Sequence, residues 1–189
     1  MDERERVLTM MNLSFDQVRA DLFGGTLTQA QVDGLNVLLS AWSSATSDHR
    51  WVAYGLATAY HETDRTMEPI AEYGHGLGRP YGKPDPTTGL TYYGRGYVQL
   101  TWDYNYIKMG HLLGIDLYRA PERAMEPEVA AKIMTAGMVG GLFTGQKLAD
   151  HFNDRLTDWV GARRIINGLD RAHIIAGYGE TFARALASG

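Results

Sequence analysis

Glu62, with one of the acids Glu68, Glu72 and Asp85 that follow it, could form an acid–base pair. Glu62 lies in the stretch ATAYHETD. At 100° per residue a helix sets it on the flank of an apolar stripe, with the small residues Thr58 and Gly55 one and two turns behind. An acid on a half-buried flank is a candidate for holding its proton near neutrality. Glu72 follows the apolar pair Ile70 and Ala71 and precedes the glycine-rich run YGHGLGR; Glu68 and Asp85 are the other acids of that loop. Further on, residues 92–106 read YYGRGYVQLTWDYNY, with five tyrosines and a tryptophan but one carboxylate. In an extended chain Tyr93, Arg95, Tyr97 and Gln99 share one face, and Val98 and Leu100 the other. Paired carboxylates beside aromatic faces and amide or guanidinium donors are what cleavage of a glycosidic bond requires. Sugar rings lie on aromatic faces, one acid protonates the leaving oxygen, and a second carboxylate activates water or attacks the anomeric carbon.

Each feature also has a plain structural reading. Glu62 would be an ordinary exposed glutamate near a helix end, His61 a structural histidine, and residues 92–106 an aromatic core strand. Two other chemistries are excluded. HET is not the H-E-x-x-H zinc pattern, because position 65 is Arg, and GHGLGR is not G-x-G-x-x-G, because position 79 is Arg. Neither a metal nor a cofactor is expected.

The elements that must position these residues are mostly helical. Ser14 caps a short helix ending at Gly24 and Gly25. Thr28 and Gln31 form a capping box ahead of Val32, Leu35, Leu38, Leu39 and Trp42 at helical spacing. A third helix is predicted over 48–63, with Val52, Leu56, Ala59 and Tyr60 as its buried stripe. Residues 64–91 hold five glycines and four prolines and read as a long ordered loop, of the kind that carries function. Thr101 is placed to cap a helix through Leu113. Two more helices are predicted over 126–144 and 170–187, the last with a stripe of Ile174, Ile175, Tyr178, Phe182 and Leu186. Runs of helices around one polar, loop-rich segment suggest an α or α+β domain with a cleft.

The chain has 189 residues, 44% of them hydrophobic, with no linker or repeat, which suits one domain over 1–189. Residues 1–47 are expected to pack as a helical segment on a core of 48–189. There are no cysteines, so disulfides and thiolate metal sites are excluded. The start MDERERVLTM is charged where a signal peptide is apolar. The longest apolar-looking stretch, 133–146, is too short to span a bilayer. Net charge is −4 with scattered Lys and Arg, so no nucleic-acid footprint is visible.

Three segments together, AYHET, YYGRGYVQLTWDYNY and IINGLDRA, resemble the glycoside hydrolase family 19 catalytic domain, shared by plant-type chitinases and many bacteriophage endolysins. The resemblance covers residues 51–185 and implies a mainly α (α+β), lysozyme-like fold of two lobes with a small β element lining the cleft. It implies that Glu62 is the general acid, Glu72 the general base, and Thr101 the hydroxyl that helps hold the attacking water. Tyr93, Arg95, Gln99, Tyr104 and Asn105 would line the substrate cleft or brace the acid. Asn167 would bind sugar, and Arg171 would pair with the catalytic acids. The disulfides of the plant members are absent, the loop between Glu72 and Tyr92 is short, and the first fifty residues fall outside the plant pattern.

Both chitin and peptidoglycan carry β-1,4-linked N-acetylhexosamines. A compact chain without signal peptide, chitin-binding module or cysteines points to an inverting, muramidase-like peptidoglycan hydrolase of the endolysin kind. Such an enzyme is made in a host cytoplasm and acts on the wall after release, as a monomer without stable membrane insertion. The acidic pI, near 5.8, argues the other way, since the wall is anionic. The alternatives are a chitinase, and a non-catalytic glycan-binding relative.

Overall fold

The computed structural model describes residues 11–187. Its helices are α1 (Phe15–Asp21), α2 (Gln29–Ala45), α3 (His49–Glu62), α4 (Asp103–Leu113), α5 (Pro127–Gly140), α6 (Leu148–His151) and α7 (Ala172–Ala187). Two short strands, β1 (Ile70–Ala71) and β2 (Arg95–Gly96), pair antiparallel with Ile70 opposite Gly96 and Ala71 opposite Arg95. No described helix is long and apolar enough to cross a membrane.

The helix starts follow from local chemistry. Ser14 accepts from the Gln17 amide at α1, and Thr28 and Gln31 form the expected reciprocal box at α2. Asp48 accepts from the Arg50 amide at the head of α3. Gly141, in the left-handed conformation, closes α5 three residues before the predicted end at Thr144. The short α6 and the 3₁₀ turn Gly161–Ile165 were not foreseen, because neither is long enough to display a period.

Helix α3 is the central element. Every residue from Val52 to Tyr60 is buried, because α2, α5 and α7 enclose it. The predicted stripe is therefore a whole circumference. Gly55 abuts the Trp42 indole, where an added Cβ would lie 2.2 Å from a ring carbon. The space expected beside Glu62 is thus filled by α2. Leu35, Leu38 and Trp42 of α2 are fully buried and join one hydrophobic core with α3, α5 and α7. On α7, Ile175, Phe182 and Leu186 face this core, but Ile174 is half exposed and drops out of the predicted stripe.

Residues 92–106 do not run extended. The chain turns back on itself between Arg95 and Leu100, which exchange two backbone hydrogen bonds. Gly96 and Gln99 take positive φ values of 88° and 54°. Alternation is lost, and Tyr97 goes into the core, donating to the Met67 carbonyl. Thr101 does not cap α4. Trp102 occupies the cap position with φ 74°, and no side chain caps the helix.

Candidate active site

Glu62 is the last residue of α3. Its Oε1 accepts from Arg163 Nη1 at 2.6 Å; the arginine side chain is 5% exposed and the glutamate 21%. Arg163 is held by the 3₁₀ turn, where the Asp158 carboxylate accepts from the Gly161 amide at 2.7 Å. Its Nε also donates to the Asp170 carbonyl at 3.2 Å. One planar guanidinium thus joins the end of α3 to the loop before α7. His61 is half-buried, and burial pushes its imidazole down, against the opposing pull of Glu62. Deeper in α3 the Tyr54 hydroxyl is buried without a partner, and desolvation raises it strongly.

After α3 the chain reverses through three non-glycine residues at positive φ, Asp64, Arg65 and Met67. The Thr63 hydroxyl, itself donating to the Ala59 carbonyl, accepts from the Met67 amide and fixes the turn. This delivers β1 and, directly after it, Glu72. The Glu72 amide donates to the Gly94 carbonyl at 2.7 Å, extending the strand pairing by one residue. The carboxylate is held at both oxygens: Tyr81 Oη donates to Oε1 at 2.8 Å, and the Gly94 amide to Oε2 at 3.0 Å. The bond to Glu72 is the main reason that Tyr81 is shifted up, so it stays a phenol donor. Glu68 is exposed and Asp85 ties its own loop, accepting from Thr87, Thr88 and Tyr118.

The other motif residues divide into braces and surface. Arg95 is buried, with Nη1 donating to the Thr91 and Tyr93 carbonyls and to Tyr106 Oη. Its guanidinium lies 3.6 Å from the Tyr93 ring centroid, and the His75 ring stacks on the same tyrosine at 4.6 Å and 14°. Two groups that close cannot share one face, so Tyr93 is sandwiched. Gln99 turns inward and donates to the Ile70 and Gly96 carbonyls. Thr101 Oγ1 donates to the Gln99 carbonyl at 2.7 Å, and Asn105 Nδ2 to the Thr101 carbonyl at 2.8 Å. Tyr104 is exposed and stacks beside Trp102.

Asn167 is exposed on the Arg163 turn, its amide donating to the Arg163 carbonyl at 3.0 Å. Arg171 corrects the expectation for it. It is exposed, at φ 55°, and lies 3.9 Å from Asp170; the arginine on Glu62 is Arg163. Arg163, Tyr81 and Trp102 are the site residues that sequence reasoning missed. Among the described residues no His, Asp or Glu cluster could hold a metal ion. What the arrangement offers is two carboxylates in unlike settings, one on a buried cation, one between a phenol and an amide.

No family model matches the chain. Short matches exist to curated plant proteins: an endochitinase of Arabidopsis thaliana, 49% identical over 45 residues, and an inactive chitinase-like protein of Hevea brasiliensis, 46% identical over 46. The matched segments span 16% and 15% of those proteins, and 23% and 22% of this chain. Solved structures match over nearly the whole chain. Chitinase C of Streptomyces griseus superposes with a TM-score of 0.65 at 23% identity, covering 95% of this chain and 78% of its own. The class IV chitinase of Zea mays gives 0.60 at 18%, covering 91% and 92%. The chain has the mainly helical, lysozyme-like fold of the family 19 chitinases.

Proposed function

We propose that this protein is a glycoside hydrolase that cleaves β-1,4 bonds between N-acetylhexosamines with inversion, chitin-type oligomers being its first substrate class. The observation that carries the reading is the pair of held carboxylates on the chitinase fold. Glu62 bonds Arg163 through Oε1, so Oε2 is the oxygen that carries the proton to the glycosidic oxygen. Glu72 serves as the base. Thr101 gives its own hydrogen to the Gln99 carbonyl, so its oxygen accepts from water. A water that donates to both Glu72 and Thr101 has a lone pair left for the anomeric carbon, which is the geometry of direct displacement.

The similar proteins carry the name chitinase, which puts chitin-type oligomers ahead of peptidoglycan as substrate. The linkage is common to both, so the test runs both. Purified protein is incubated with N-acetylglucosamine oligomers and, in parallel, with purified peptidoglycan, and products are separated by mass. The parent should shorten the oligomers, and Glu62→Gln and Glu72→Gln should each lower the rate by about a hundredfold or more. Cleavage of peptidoglycan alone would move the substrate to the wall. Intact products from both polymers would reject the hydrolase reading.

A further inference from the structure

The loop after Glu72 returns to hold the carboxylate that precedes it. Gly76 and Gly82 touch through their backbones, where a Cβ on Gly82 would lie 1.9 Å from the Gly76 oxygen. That closure sets the 3₁₀ turn Pro80–Gly82 and brings Tyr81 back to Glu72 across nine residues. The Tyr92 amide donates to the Tyr81 carbonyl, and the Trp102 amide to the Tyr92 carbonyl, tying three segments in series. The Tyr81 ring meets the Trp102 indole edge-on at 5.3 Å and 73°. Trp102 holds φ 74°, a strained conformation for a bulky residue that persists only where its surroundings impose it. The strained indole therefore sits under the phenol that touches the base.

We propose that Tyr81, seated on Trp102, is a positioning residue that donates to the Glu72 carboxylate and aims it at water. A donor to the charged form of a carboxylate favours that form. Tyr81 is one of two such donors, the Gly94 amide being the other. The phenol remains protonated because its bond to Glu72 shifts it upward. Other charged groups of this loop are Arg79, Lys83 and Asp85, and Asp103 follows Trp102; the donors on the carboxylate itself are uncharged. Removing the Tyr81 hydroxyl takes away one donor to the charged form, so activity, which is lost as pH falls through the base, begins to fall at a higher pH. This rests on Glu72 being the base.

The test is the pH dependence of kcat/KM on a soluble N-acetylglucosamine oligomer, paired with carbon-13 NMR titration of the glutamate carboxyls without substrate. Tyr81→Phe keeps the ring against Trp102, so its thermal midpoint should equal the parent's. Its rate should fall about tenfold, and both the acidic limb and the Glu72 carboxyl titration should move up by about half a pH unit or more. Tyr118→Phe removes a similar phenol–carboxylate bond, to Asp85, and should leave the acidic limb in place. A Tyr81→Phe limb and carboxyl titration identical to the parent's would overturn the proposal. Parent-like activity in Glu72→Gln would instead overturn the base assignment, while the NMR titration still decides whether Tyr81 tunes the carboxyl.

Discussion

At the scale of single residues, Glu62 is served by Arg163, while Arg171 reaches only Asp170. A guanidinium that reaches Glu62 with one nitrogen and the Asp170 carbonyl with another fixes the direction of the Glu62 carboxyl. Arg163→Ala removes both bonds and leaves Glu62, only 21% exposed, without its cation. The expected cost is about 1–3 kcal/mol of stability, below the range for a fully buried pair, and at least about tenfold in turnover. Arg163→Lys keeps the charge but not the fork and should fall between. Arg171→Ala should cost less than Arg163→Ala on both counts, since Arg171 reaches Asp170 at only 3.9 Å. Urea unfolding and turnover on a chitin oligomer check the order. Glu62 stood out as a candidate from its helical flank, and Glu72 was singled out among the loop acids by the family resemblance. Arg163 was not, because a 3₁₀ turn of five residues has no periodicity to read.

At the scale of elements, α3 places the acid and is itself placed by what surrounds it. The seam with α2 is narrow: Trp42 occupies the surface that Gly55 leaves bare. Gly55→Ala puts a methyl within 2.2 Å of the indole. Overpacking of this kind costs about 1–3 kcal/mol, so the urea midpoint should fall without a change of slope. Turnover of the folded fraction should change little, since α3 ends two turns beyond. An unchanged midpoint would mean that α2 and α3 are not packed this way. The helices were legible because caps and 3.6-residue spacing are local signals, as at Ser14 and at Thr28 with Gln31. The motif around Arg95 was legible in content but not in shape. Its period-two pattern is cancelled by positive φ at Gly96, Gln99 and Trp102, conformations that only packing can enforce on the last two. Arg95 and Gln99, expected along a cleft wall, are spent on backbone carbonyls that hold the turn.

At the scale of the molecule, the helical core and the hairpin side carry one carboxylate each. Glu62 moves with α3 and the 3₁₀ turn, Glu72 with β1 and the loop that ends at Tyr81. The segment between them, 63–69, reverses through three strained residues. Its Thr63 hydroxyl bridges the Ala59 carbonyl and the Met67 amide, so the spacing of the two acids is built into the backbone. An inverting reaction needs carboxylates roughly 6.5–9.5 Å apart, with room for water, against about 5–5.5 Å for a retaining one. Direct attack by a water shared between Glu72 and Thr101 leaves no covalent glycosyl intermediate, and the configuration of the first product records it. Proton NMR of the earliest products from a β-linked N-acetylglucosamine oligomer should show the α-anomer rising first, with the β-anomer appearing only by mutarotation. Initial build-up of the β-anomer would contradict the roles given to Glu72 and Thr101 together.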